Sequence, residues 1–475
     1  MRFRNHFGPG CTSDYASAFP LAPALFFTLL AELVLQFWED GRFPRAWITS
    51  VQVPLPKKAW PVGVEDYRTL TLGCVLSKLL ARHLYVLLRA ILPPLPWYQA
   101  GFEPGRSTYD HILLLRKVLD ERWQAGDPVY VLALDIKAAF PSVLWRELAE
   151  VLLADGVPPF LLNRLVALAL SDATSIRWQA GRTREVLTRR GVKQGCPLAP
   201  YLFTLALHAV LQCVVAALPR FRLDLDGADF NPLVCTYADD LLVASTRFED
   251  VSRFLDEFAP RALELGLALD FRKCMERPPG AVDPRPLPRP VQVAGREVQQ
   301  VAKIVYLGAL LTAGLERRGV AYHRVVKAQR AVATLQPLLH CNPLPPMVVS
   351  RIYRTTVLAS LSYEQSSTAT TKATRMTLRR QAGVLTGALM ASARRPQRGL
   401  VRLVGEERRK ASITRAIRGA RVRYWGHILR CPPAHPPPRC VLQFEVGRKK
   451  VGRPCHTFNT ALAADLARLP APAGG

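Results

Sequence analysis

The spacing of apolar and polar positions sorts this chain into helical, strand-like and punctuating segments. Apolar residues recur at helical intervals from Leu70 to Leu92, where Pro93-Pro94 stops them, and again from Tyr109 to Trp123, which predicts two amphipathic helices. VYVLALDI (129–136) is a near-continuous apolar run of strand length with an aspartate near its end, the pattern of a strand buried on both faces. Helical patterns follow Pro141 and return over Pro200–Leu218 and Arg247–Gly266. VQVPLPKK (51–58) reads as a strand closing on a basic pair, and LVCTYADDLLVAS as strand, tight turn, strand. PPGAVDPRPLPRP (278–290) is a proline-stiffened loop, after which two short strands around Gly295 lead into KIVYLGALL. From there to about 430 the pattern is helical and increasingly basic. CPPAHPPPRC and a last short helix, Thr457–Leu469, close the chain. No internal repeat is present, and residues 1 to about 20 show no periodicity that would fix them.

Two stretches are apolar enough to suggest a membrane. Ala24–Trp38 is interrupted by Glu32 and Gln36, and WEDGRFPRAW follows it without a small-residue cleavage site. Leu202–Leu218 is short and carries His208 and Gln212. Both are expected to be buried helices of a soluble protein. At 475 residues the chain is too long for one core, and about three domains is the prior. Charge changes the picture more. The 64 Lys+Arg against 37 Asp+Glu leave a formal +27, which argues for a polyanionic partner, nucleic acid first and an acidic membrane surface second. Between Arg379 and Arg430 fourteen Lys/Arg face only Glu406 and Glu407, a composition suited to neutralising phosphates. Tyr424 and Trp425 in RYWGHIL sit at the spacing of core packing. The ten cysteines contain no CxxC pair and read as reduced thiols in an intracellular protein. Cys431, His435, Cys440, Cys455 and His456 match no standard zinc-finger spacing, and a proline-rich loop is expected there.

Chemistry enters with TYADDLLVAS (236–245), where Asp239 and Asp240 stand side by side in the middle of a hairpin. A solvated turn would explain them, and so would a divalent cation between them. LALDIKAAF adds Asp135 at the end of a buried strand, where an unpaired charge is expensive. A helix N-cap is the bland account of Asp135. If that strand lies beside the hairpin, three carboxylates meet on one sheet edge and need cations to stay ionised. Mg²⁺ suits such oxygen ligands together with substrate phosphates, and a pair of ions is the recurring device of in-line phosphoryl transfer.

The order of motifs resembles a reverse transcriptase of the non-LTR (LINE-like) retrotransposon class. VPLPKKAWPVGVEDYRTLTLGCVLSKLLARHL resembles that family's fingers segment. QAGFEPGRSTYDHI, LALDIKAAFPSV, GVKQGCPLAPYLFTLAL, TYADDLLVAS, GLALDFRKC and VYLGALL then follow in the family's order over residues 51–311. SLSYEQSS, RYWGHIL and VGRP resemble short landmarks of the thumb and its C-terminal extension. The resemblance implies an α+β right-hand polymerase with fingers, a palm built on an antiparallel sheet, a helical thumb and a basic C-terminal extension. It also implies a division into a helical lead-in (1–50), fingers and palm (51–311), basic thumb (312–430) and a proline-rich extension (431–475). Complete elements of this class carry an endonuclease, and nothing here precedes the fingers, so an N-terminally truncated copy is expected.

The resemblance also assigns roles. Asp135 and Asp239 become metal ligands and Asp240 a less essential neighbour, around two Mg²⁺ ions for which Mn²⁺ can substitute. Phe140 matches the ring that excludes a ribose 2′-OH, though an ordinary core phenylalanine fits the same position. Gln194 and Gly195 would shape the floor under the nascent base pair, where a plain turn before a helix is the alternative. Arg68, with Lys57 or Lys58, matches the basic residues that grip the incoming triphosphate, and Lys273 the lysine that protonates the pyrophosphate leaving group; solvated lysines would look the same. The chain departs from the family at Asp270, usually Asn, at Pro141, usually Asp, and at His208, where an acid is common. The expected partners are an RNA template, a DNA primer and dNTPs. No membrane is expected, the oligomeric state is left open, and basic runs such as GEERRK and GRKK point weakly to the nucleus. The expected activity is RNA-directed DNA synthesis. Its rivals are a catalytically decayed remnant that only binds nucleic acid and a viral RNA-dependent RNA polymerase, which Phe140 and the thumb landmarks disfavour.

Overall fold

The computed structural model describes residues 23–41, 43–170, 173–178, 181–218, 233–277, 291–293, 296–298, 300–312, 317–341, 345–365, 372–392, 413–431 and 458–467. The proline-rich loops, His435, Cys440, Cys455, His456 and the basic residues 393–412 lie outside them. In chain order the described strands are β1 (Thr49–Pro56), β2 (Tyr67–Gly73), β3 (Val129–Ile136), β4 (Ala173–Trp178), β5 (Gly181–Arg182) and β6 (Val186–Leu187). After them come β7 (Leu233–Tyr237), β8 (Asp240–Ser245), β9 (Leu269–Arg277), β10 (Val291–Val293), β11 (Arg296–Val298), β12 (Lys303–Tyr306) and β13 (Ala309–Thr312). One sheet runs β2-β1-β4-β5 with β6 also on β4, a second runs β7-β8-β3-β9, and β10–β11 and β12–β13 are separate pairs. Helices interleave with antiparallel hairpins, the α+β architecture expected. The chain divides into two compact units, one of Met1–Glu103, Leu134–Leu223 and Ser252–Phe271, the other of Pro104–Ala133, Asp224–Val251 and Arg272–Gly475.

In the first unit β1 and β2 form an antiparallel hairpin, with Ser50 opposite Gly73 and Pro56 opposite Tyr67. Leu70–Gly73, expected as the start of a helix, is therefore strand. Thr69 and Thr71 are β-branched and alternate with leucines, and pairing with β1 satisfies backbone groups that a helix would have to bond internally. The helix begins at Val75 and ends at Ile91, two residues before Pro93. It buries Leu80, Ala81, Leu84 and Leu88 along one stripe. β4, which the sequence pattern did not announce, joins β1 in parallel from Ala173 opposite Thr49. The helix Ala199–Ala217 is long and apolar enough to cross a membrane, yet Tyr201 through Leu207 are all buried inside the unit. Leu202–Leu218 is thus the core helix expected. The other apolar helix, Pro23–Asp40, corrects the expectation of burial: Leu29 is 56% exposed and Leu35 57%. Its C-terminal end is held, since Arg164 donates to the carbonyls of Trp38 (2.5 Å) and Glu39 (2.7 Å). Leucines all round this helix cannot all face one neighbour, so a single contact leaves the rest uncovered.

In the second unit a core of Ala321, Val325, Val357, Leu361, Leu378 and Ile417 joins the helices Arg317–Cys341, Lys372–Ser392 and Ile413–Arg430. A π-helical stretch, Tyr353–Leu358, turns Tyr353, Val357 and Leu358 into this core. A second cluster, Leu113, Tyr424, Ile428 and Leu462, joins the helices Thr108–Ala125, Ile413–Arg430 and Phe458–Leu466. Tyr424 is therefore a core residue, its hydroxyl donating to Asp110 Oδ1 at 2.9 Å. Arg421, counted above in a basic face, is buried against Asp465 at 2.5 Å.

Candidate active site

The Asp239–Asp240 pair sits where the sequence places it. Tyr237 and Asp240 are opposite each other across β7 and β8, so the connection is the two-residue turn Ala238-Asp239. Such hairpin turns require a positive φ. Ala238 supplies it at +56°, in a region that a side chain enters at a cost of about 1–2 kcal/mol. Leu233–Thr236 and Leu241–Ser245 are buried, Asp239 is half-buried and Asp240 is exposed. The apolar runs anchor the hairpin and leave the two carboxylates at its tip. Tyr306 of β12 is buried, and burial first, then the charges of Cys235 and Asp240, raises its phenol well above the usual range. Its hydroxyl lies 3.3 Å from His111 Nδ1.

Asp135 is the half-buried penultimate residue of β3, the strand next to β8 in the sheet order. The chain leaves β3 through Ala138, whose φ of +46° caps the short helix Ala139–Ser142. That turn carries Phe140, which is half-buried and stacks on Phe203 with ring centres 5.2 Å apart and planes 11° from parallel. Phe102 meets it edge-on at 6.3 Å. Phe140 is thus braced on two sides by rings.

Gln194 and Gly195 are fixed by β2 of the same unit. The Thr71 amide donates to the Gln194 carbonyl at 2.7 Å. Gly195 has φ +116°, and a Cβ there would stand 2.5 Å from the Thr71 carbonyl oxygen, so only glycine permits this approach. A small open recess beside it is lined by Thr71, Ser77, Lys78, Lys193 and Cys196 among others. Lys78 and Lys193 were not singled out from sequence; Lys193 sits inside the GVKQG block and was the readable signal.

Lys57, Lys58 and Arg68 gather at one end of the β1–β2 hairpin, where Arg68 faces Leu55. All three are exposed. The two lysines are not simply solvated. Lys57 Nζ donates to the Glu65 carbonyl at 2.8 Å, and Lys58 Nζ pairs with Asp66 Oδ2 at 2.8 Å. That carboxylate also accepts the Val62 and Gly63 amides, and the Lys58 bond followed by these two holds it at about 2. Asp66, unremarked in the sequence, organises this loop. Lys273 lies on β9, its side chain outside the described atoms. His208, where the family favours an acid, hydrogen-bonds Tyr98, and burial lowers it to about 4. It is a neutral core partner at physiological pH.

Among the described residues no three His, Cys, Asp or Glu side chains are grouped so that they could hold a metal ion, so the expected meeting of Asp135, Asp239 and Asp240 is not seen as a formed site. The adjacent carboxylates of Asp239 and Asp240 offer only hard oxygen donors, the kind Mg²⁺ takes one or two at a time alongside substrate phosphates.

Residues 55–309 match the model of the reverse transcriptase (RNA-dependent DNA polymerase) family. A Pol polyprotein of the type-1 retrotransposable element R2 from Popillia japonica is 30% identical over 204 residues, covering 43% of this chain and 28% of that protein. The 149 kDa protein of transposon TX1 from Xenopus laevis is 25% identical over 286 residues, covering 59% of this chain and 21% of that one. The chain thus spans less than half the length of the curated relatives it matches. Apo telomerase from Candida tropicalis superposes with a TM-score of 0.41 at 12% identity, over 82% of this chain and 71% of that one; a likeness of that size carries no argument. With more than half its length matched, the chain belongs to the reverse transcriptase family, and the curated relatives it is similar to are proteins of the elements R2 and TX1.

Proposed function

We propose that this chain is an RNA-directed DNA polymerase: a primer 3′-oxygen attacks the α-phosphorus of a dNTP, the bond to the bridging oxygen breaks, and pyrophosphate leaves. The observation that carries this reading is the presentation of Asp239 and Asp240 at the tip of a buried, strained hairpin. A chain selected only for stability would place glycine, or an uncharged pair, at such a turn. Asp135 and Asp239, with Asp240 next to Asp239 in the chain, are the residues that would hold divalent cations, whose charge would favour the attacking and leaving oxygens. Arg68 binds the triphosphate. Lys58, already paired with Asp66, keeps the loop in place more than it contacts nucleotide. Phe140, braced by Phe102 and Phe203, fills the volume a 2′-hydroxyl would need. The backbone at Gln194-Gly195 supports the nascent base pair, and Lys273 Nζ delivers a proton to the departing pyrophosphate. The template is RNA, and a nuclear setting accords with the basic runs.

Extension of a DNA primer on an RNA template, with dNTPs compared with NTPs, tests the proposal. dNTP-dependent extension supports it, and relaxed sugar choice in Phe140→Ala supports the role of that ring. Salt-sensitive RNA binding with no product from the wild type would make the chain a binding remnant. Extension with NTPs alone would make it an RNA polymerase.

A further inference from the structure

In the first unit the loop between β1 and β2 turns its apolar side chains outward. Trp60 is 86% exposed, Val62 93% and Val64 88%, so three apolar residues within five face solvent. Singly exposed apolar residues are ordinary, but a group of them at one projecting tip marks a surface that meets something. The loop is not slack. The Lys57 amide donates to the Asp66 carbonyl at 2.7 Å, and the Asp66 amide to the Gly63 carbonyl at 3.1 Å. The Asp66 carboxylate accepts the Val62 and Gly63 amides, and Lys57 Nζ and Lys58 Nζ bond within the same loop. These bonds shape the loop while Trp60, Val62 and Val64 stay in water, where they gain nothing from folding.

At the root of the loop Tyr67 begins β2 opposite Pro56. Trp178 of β4, 48% exposed, meets Tyr67 edge-on with ring centres 5.3 Å apart and planes 71° from parallel. One residue earlier on β4, Arg177 lies directly opposite Arg182 of β5, and both are exposed. Like charges opposite each other across two strands destabilise the pair unless an anion lies between them. Over 55–68 and 173–190 six arginines and two lysines, all exposed, meet only Glu65, Asp66 and Glu185. Two of those three acids are already paired, Asp66 with Lys58 and Glu185 with Arg45. The surface therefore carries exposed rings and uncompensated positive charge together.

We propose that the Trp60–Val64 loop and the adjoining strands β4 and β5 bind unpaired nucleic acid, with bases stacked on Trp60 and Trp178 and phosphates at the surrounding guanidiniums. Every base has a π-face, so such a surface takes single strands of any sequence. A base inside a duplex offers no free face, and duplexes gain only the charge contacts. The predominance of arginine favours this partner over an acidic membrane, because guanidiniums fork phosphate oxygens and lie flat on rings. Trp178 favours it too, since it lies back on the sheet and not at the tip that would enter a bilayer. Trp60, Trp178, Arg177 and Arg182 have no part in the polymerase reading, and binding here needs no catalysis.

Fluorescence anisotropy of the full chain with labelled oligo(U), at about 0.2 M salt where purely ionic contacts are weakened, tests the proposal. Trp60→Ala removes an exposed ring and leaves the loop's own hydrogen bonds in place. It is expected to weaken oligo(U) binding about tenfold, with Trp60→Phe within about threefold of the wild type and affinity for a blunt RNA duplex changed less than about twofold. Arg182→Gln is expected to lower the salt slope for oligo(U) by about 0.7. Unchanged oligo(U) affinity in Trp60→Ala, or equal losses on single strand and duplex, would overturn the proposal. Unchanged oligo(U) affinity with lost binding to phosphatidylserine vesicles would assign the tip to a membrane instead. A wild type that extends no primer would sink the polymerase reading and leave this test intact, because binding alone is read.

Discussion

Two hairpin turns of the second unit are built to nearly the same plan and used differently. β7–β8 and β12–β13 each close through two residues, and each forces a side chain into left-handed backbone, Ala238 in one and Leu307 in the other. In the β12–β13 turn the carbonyls of Leu307, Gly308 and Leu310 are held by Tyr363, Arg324 and Arg116. In the β7–β8 turn the strain is accompanied by two adjacent carboxylates directed outward, Asp240 being exposed. One turn is held by side chains from elsewhere in its unit, and the other, on the proposed reading, presents chemistry. Backbone strain alone does not mark a functional tip; what the strained residue carries, and what holds it, separates the two cases.

The largest effect that sharpens this contrast is expected at Asp239. Asp239→Asn changes one oxygen to an amide, and it should lower extension on the order of a thousandfold while leaving RNA binding within about twofold. Next comes the approach at residue 195. Gly195→Ala would place a methyl 2.5 Å from the Thr71 carbonyl at φ +116°, and thermal melting should report about 2–3 kcal/mol lost. Of similar size is an acid effect in the first unit. His208 is held down to about 4 by burial, so the folded state refuses a proton that the unfolded state takes up near 6.5. Stability is complete above about 6.5, falls as pH drops toward 4, and loses on the order of 3 kcal/mol in all. A melting profile that stays flat over that window in the wild type, or is no flatter in His208→Gln, would contradict it. The smallest effect is at Ala238. Ala238→Gly relieves the turn but loosens the unfolded chain, so a net gain of no more than about 1 kcal/mol is expected, whereas Ala238→Val should cost about 1–2 kcal/mol. If valine were neutral there, the strain assigned to the presenting turn would be absent.

Much of this was legible because the signals are local. TYADDLLVAS reads as a hairpin since apolar runs flank two polar residues, and VYVLALDI reads as a buried strand since its own side chains say so. Leu70–Gly73 was misread because leucine spacing fits a helix for one turn, and only pairing with β1 decides otherwise. β4 was missed because ATSIRW is short and its partner lies over a hundred residues earlier. The helix Pro23–Asp40 was expected to be buried because hydrophobicity reports a preference, not a neighbour. Asp135, Asp239, Phe140, Gln194 and Gly195 are candidates because motif blocks carry them. Asp66 and Glu364 were not singled out. Their roles exist only through partners the fold brings near: Lys58 and the Val62 and Gly63 amides for Asp66, Arg116 and Arg324 for Glu364.

The central claim is that the tip at Asp239 does chemistry. Its most direct test is single-turnover addition of one dNTP to a DNA primer on an RNA template in Mg²⁺, wild type beside Asp239→Asn, with template binding measured on the same preparations. The account predicts addition by the wild type, essentially none by the variant, and equal binding. Equal rates of addition in the two proteins would contradict it.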